Sequence, residues 1–135
     1  MTESENLAKK IKDKLQIEEL TITDDFLDKA KKLIGITSDG KIIFKIDRSH
    51  LAIADQILLL LAGVRLAYEA KLRESSEITL EEVAAALQIH RRIAVARLKE
   101  LVDSYRVSRK ERGVYTISDF ALYEVINRLA SEPLK

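Results

Sequence analysis

A mainly α-helical fold with a small β component is predicted by three features of the sequence. Apolar residues recur at helical spacing in several segments punctuated by Ser, Thr, Asp and Gly. One segment, residues 49–73, is apolar on nearly every side, the pattern of a helix buried on all faces. Short β-prone runs lie beside Gly40 and around Gly113, where tight turns are expected. At 135 residues and 47% apolar, the chain is long enough for one compact domain with an extension.

Taken in order, residues 4–15 predict a first helix with Ser4 as cap and Leu7, Ile11 and Leu15 on a narrow stripe. Four lysines cover the rest, so this helix must dock on something or fray. Residues 18–23 form a β-prone connection. Thr23 then caps a helix over 24–34 with Phe26, Leu27, Ala30, Leu33 and Ile34 inward. Asp24, Asp25 and Asp28 sit in its first turn, where the helix dipole favours negative charge, and are not read as a metal cluster. Asp39 and Gly40 predict a hairpin between a strand near Ile36 and Thr37 and one over 41–46. Ser49 is expected to start the longest helix, 49–73. Residues 74–77 are a loop, and after residue 117 Ser118 caps a last helix, 119–131, followed by a frayed tail with Pro133.

The informative stretch is 79–117. Thr79 and Glu82 have capping-box spacing ahead of Val83, Ala84 and Leu87. A connection of three residues, 88–90, leads to a helix over 91–104. On it Ala94, Leu98, Leu101, Val102 and Tyr105 share one face, with Arg91, Arg92, Ala96, Lys99 and Asp103 opposite. Runs 106–110 and 114–117 then flank Gly113 as a hairpin. Helix, turn, helix and hairpin together resemble the winged helix-turn-helix family of nucleic-acid-binding domains, in particular small archaeal and bacterial transcriptional regulators. The resemblance rests on LEEVAAAL (80–87), RRIAVARLKELV (91–102) and VSRKERGVYTI (107–117). It implies a winged helix-turn-helix over 48–117, with an N-terminal helix and hairpin extension at 1–47 and a C-terminal helix at 118–135. This chain has Gln88 where the family often has Gly in the turn. It has Ala96 where a long polar residue often reaches the bases, so contact with the DNA backbone is expected to dominate.

Charge placement points the same way. Between His90 and Gly113 eight basic residues face three acidic ones, a local +5, which leaves −4 on the rest of a chain of net charge +1. A basic patch of this kind attracts phosphate. The resemblance places the helix at 91–104 in the major groove and the wing along the backbone. The candidate nucleic-acid-binding residues are therefore His90, Arg91, Arg92, Val95 and Lys99 on the helix, and Arg109, Lys110 and Arg112 on the wing.

The expected partner is double-stranded DNA, bound by a homodimer formed through helix 49–73, helix 119–131, or both. The alternative is a protein-interaction subunit of a replication, transcription or ribosome-associated complex, favoured by the near-zero net charge and by Ala96. The two histidines, His50 and His90, have no second ligand at i+3 or i+4, so no metal or other cofactor is expected. No nucleophile–base arrangement or Gly-rich phosphate loop supports an enzyme. The first residues have no signal-peptide run, and the most apolar window is interrupted by Asp55, Gln56, Arg65 and Glu69. A cytoplasmic protein is the expectation. Five Asn and Gln, no Cys and much Lys, Glu and Ile fit a thermophile, and an archaeal source is the expectation.

Overall fold

The computed structural model describes residues 2–15 and 22–131. Most of the β-prone connection expected at 18–23, and the tail with Pro133, lie outside the described residues. The described chain runs α1 (Glu3–Leu15), α2 (Asp24–Leu33), β1 (Ile34–Ile36), β2 (Ile42–Phe44), a 3₁₀ turn (Arg48–His50) and α3 (Ile53–Glu69). It continues with β3 (Ile78–Thr79), α4 (Leu80–Leu87), α5 (Arg91–Asp103), β4 (Val107–Glu111), β5 (Val114–Ile117) and α6 (Asp119–Ser131). The fold is thus mostly helical with two small antiparallel sheets. One is the β1–β2 hairpin; the other is three-stranded in the order β3-β5-β4.

The core is built around α3. Every residue from 56 to 64 is buried, as are Leu66 and Ala67. α6, α5, α4, β5 and the β1–β2 hairpin all pack on it. Each large side chain so enclosed contributes about 1.5–3 kcal/mol. α2 closes the far side of α6, with Phe26 edge-on to Tyr123 at 5.2 Å between ring centroids. Polar contacts fix how α6 lies on α3. Asp55 accepts two hydrogen bonds from Arg128, at 2.7 and 3.0 Å, and Glu124 accepts a third at 2.6 Å. Hydrogen bonds to Asp55, then to Glu124, hold the Arg128 guanidinium protonated well above its ordinary range.

The longest helix is shorter than the expected 49–73 at both ends. Ser49 is not its cap. The Asp47 carboxylate accepts from the Ser49 amide and hydroxyl, at 3.0 and 2.6 Å, and winds residues 48–50 into a 3₁₀ turn. These bonds to Ser49 hold Asp47 below the usual carboxylate range. The Gln56 amide then donates to Arg48 O and Leu51 O, bracing the extended residues ahead of Ile53. At the other end Lys71 takes φ +62°, and Leu72 N donates to Ala67 O at 2.8 Å, which stops the helix.

Much of the surface expected to pair two copies is occupied within the single chain, while Tyr68, Leu72 and Phe120 stay exposed. The apolar faces of 49–73 and 119–131 are buried within the single chain: Ala121, Leu122, Val125, Ile126 and Leu129 of α6 all pack inward. An all-round apolar helix needed neighbours on every side, and this chain supplies them itself.

Smaller corrections have equally local causes. Thr2 rather than Ser4 caps α1, through Glu5 N to Thr2 Oγ1 at 3.2 Å. Thr23 and Ser118 cap α2 and α6 as expected. Thr79 caps α4, but Glu82 does not complete a box; its carboxylate pairs with Arg73 at 2.9 Å. Leu27, expected inward, is exposed.

Gly63 lets β2 approach α3. A methyl group there would stand 2.6 Å from Ile42 Cγ2. Alanine is the better helix former by about 1 kcal/mol, but overpacking costs about 1–3 kcal/mol. Gly63→Ala is therefore expected to lower the unfolding free energy by about 1 kcal/mol or more. Urea denaturation checks this, and the loss should shrink in an Ile42→Ala background. Equal losses in both backgrounds would remove the close approach as the cause.

Candidate nucleic-acid interface

α4 and α5 are joined by residues 88–90. α4 ends because Gln88 adopts φ +55°, ψ +45°, with Ile89 N donating to Ala84 O and Gln88 N to Ala85 O. Three residues with this left-handed backbone, Lys71, Gln88 and Tyr105, terminate α3, α4 and α5, and none is glycine. At each, the amide of the following residue reaches back five residues: Leu72 to Ala67, Ile89 to Ala84, Arg106 to Leu101. A non-glycine residue pays a steric cost there of about 1–2 kcal/mol.

His90 caps α5 through its ring: Nδ1 accepts from Arg92 N at 3.0 Å. That contact fixes the nitrogen that carries the lone pair. α5 then buries Ala94, Leu98 and Leu101, with Val102 partly covered. Tyr105 does not extend this face as expected. Its left-handed backbone ends the helix, and its side chain is 88% exposed.

β4 follows as the edge strand of the three-stranded sheet, with Val107 buried and Ser108, Arg109, Lys110 and Glu111 exposed. Residues 112–113 turn the chain, Gly113 at φ +74°, and β5 returns with Tyr115, Thr116 and Ile117 buried. β3 pairs with β5, Ile78 opposite Tyr115 and Thr79 opposite Val114. Leu80 N also donates to Gly113 O at 2.8 Å. The turn of the β4–β5 hairpin is thereby pinned to the start of α4. A two-residue strand is too short to show alternation, so β3 left no mark in the sequence pattern.

Between α5 and the hairpin lies a groove of about 440 Å³. Arg91, Val95 and Lys99 line it from one side, Arg109 and Arg112 from the other, with Leu80, Val102, Asp103, Gly113 and Tyr115 completing the walls. Five of the eight candidate residues thus converge on one feature. His90, Arg92 and Lys110 are exposed but do not line it; His90 is occupied as the helix cap. The groove holds four basic side chains against the single carboxylate of Asp103, a net +3. Arg91 has a loose partner in Glu81, 3.6 Å away. Arg97, part of the basic excess in this stretch, is neutralised by both Glu100 oxygens at 2.8 Å and stands apart from the groove. Asp103 and Tyr115 were not among the candidates. The i+4 spacing of Asp103 from Lys99 was the available signal for the first, and none marked the second.

No family model, curated protein or solved structure significantly matches this chain. No group of His, Cys, Asp or Glu suited to a metal ion occurs among the described residues, and no described helix is long and apolar enough to cross a membrane.

Two substitutions test how the α4–α5 connection is held. Gln88→Gly relieves the left-handed backbone and is expected to raise the unfolding free energy by about 0.5–1 kcal/mol. His90→Ala removes the cap of α5 and is expected to lower it by about 1 kcal/mol. Thermal melts read both; a fall for Gln88→Gly would mean that the left-handed backbone is not strained, and no fall for His90→Ala would mean that the ring does not hold the start of α5.

Proposed function

We propose that α4, α5 and the β4–β5 hairpin form a winged helix-turn-helix that binds double-stranded DNA as a transcriptional regulator. The observation that carries this reading is the convergence of Arg91, Lys99, Arg109 and Arg112 on the groove between α5 and the hairpin. The order of elements supports it: capped helix, left-handed turn, second helix, and a hairpin whose inner strand takes up β3. Gln88 holds, with a non-glycine side chain, the backbone conformation that glycine adopts most readily.

Four cations at one groove act mainly by neutralising phosphates and releasing their counterions. Contacts of this type position a protein on the duplex and carry little sequence information. Val95 and Ala96, both exposed on α5, offer only apolar contact such as that to a thymine methyl. Arg92, exposed in the first turn of α5 and outside the groove, is the side chain best suited to pair bidentately with a guanine edge.

The second reading is a protein-binding winged helix. It is favoured by Ile93 and Val95, which leave apolar surface exposed on α5 between the basic side chains.

Fluorescence anisotropy with a labelled duplex separates the two. Affinity should fall with salt on a log–log slope of about −3 to −4, as four phosphate contacts require. Arg91→Ala, Lys99→Ala, Arg109→Ala and Arg112→Ala should each reduce that slope by about 1, whereas Lys9→Ala should leave it unchanged. Binding indifferent to all four groove substitutions would overturn the site. Absence of duplex binding at low salt would leave the protein-partner reading.

A further inference from the structure

One helix of the chain is unused by its own fold. α1 starts with a reciprocal cap, in which Glu5 N donates to Thr2 Oγ1 and Thr2 N to Glu5 Oε2. Yet none of its residues is buried. Leu7, Ile11 and Leu15 stand one above another at i, i+4 and i+8, exposed at 57%, 47% and 73%. A 13-residue helix with no packing partner is marginal in water.

The same chain leaves an apolar groove open. It measures about 510 Å³ and is lined chiefly by Ile22, Leu27, Ala30, Ile34, Ile36 and Leu66, between α2, β1 and the end of α3. Leu27 is the exposed residue of α2 that the sequence places on the core face. The apolar stripe of α1 runs about 12 Å from Leu7 to Leu15, three side chains long. Charges of both signs flank the groove: Asp24 and Asp28 share the Leu27 side of α2, and Lys31 and Lys45 line it. α1 carries Lys9, Lys10, Lys12 and Lys14 with Asp13. None of these residues of α1, nor Asp24 or Asp28, makes an ion pair among the described residues.

We propose that α1 of one copy seats Leu7, Ile11 and Leu15 in the Leu27–Leu66 groove of a second copy, and that the exchange is reciprocal. Among the described residues, none of α1 lines the groove of its own chain. Each copy therefore offers one apolar ridge and one apolar slot. A two-fold arrangement satisfies both pairs at once and leaves no further surface to propagate. The proposal stands independently of the nucleic-acid reading, because none of its residues lines the α5–hairpin groove.

Light scattering on the full chain reads the mass, expected to be that of two 15.3 kDa copies. Ile11→Asp should weaken dimerisation by at least about 100-fold, since each dimer would bury two such residues. It should leave the melting of the fold intact, because Ile11 is exposed and outside the buried core of the single chain. The chain has no cysteine, so a chain carrying both Ile11→Cys and Leu27→Cys reports the contact directly on oxidation. A covalent two-chain species is expected. A monomer at high concentration overturns the proposal. So does a cross-link confined to one chain, which would place α1 in its own groove. A dimer that survives Ile11→Asp, or one that forms no cross-link, would place the contact elsewhere and also overturns it.

Discussion

Burial of α3 on every side is the constraint on which the other elements depend. Its apolar residues leave no face for water, so the chain must provide a neighbour in each direction. α6 covers one side with α2 packed behind it, α4, α5 and β5 cover another, and the β1–β2 hairpin closes over Gly63. The polar contacts serve this arrangement rather than drive it. Arg128, Asp55 and Glu124 are largely shielded and fix how α6 lies on α3, and Gln56 braces the entry to the helix. The α4–α5 pair and its hairpin are attached to α3 by this shared core. The groove between α5 and the hairpin is thus held by packing well away from it.

The second determinant is where the helices stop. α3, α4 and α5 all end in a left-handed residue followed by an amide that caps a carbonyl five residues back. Lys71, Gln88 and Tyr105 all have a Cβ, so each position is strained and is kept only because the next element is already committed. After Gln88, Ile89 packs against the core and His90 caps α5. After Tyr105, Val107 enters the sheet and Ser118 N bonds to Arg106 O. The turn angle between α4 and α5, and the departure of the hairpin from α5, both follow. These angles bring Arg91 and Lys99 to the same groove as Arg109 and Arg112.

At that groove four basic side chains meet a single carboxylate. The apolar slot beside α2 and the basic groove beside α5 lie in different parts of the molecule and are lined by different residues. One is suited to an apolar ridge, the other to phosphates.

Much of this was legible in the residues themselves. Caps at Thr23, Thr79 and Ser118, the turn at Gly113, and the apolar stripes of α2, α4, α5 and α6 are local features, and local hydrogen bonding and periodicity encode them. The basic excess around α5 is equally a matter of composition. The tertiary structure decided what depends on distant partners. β3 exists because β5 offers it an edge. Asp47 takes Ser49 and delays α3 to Ile53, while Glu82 pairs with Arg73 instead of closing a box. Which arginines share a groove and which, like Arg97, are neutralised depends on side-chain geometry that linear spacing does not carry. Above all, an apolar pattern states that a surface must be covered but not by what. For α3 the chain itself supplied the cover, whereas Leu7, Ile11 and Leu15 of α1 stay exposed.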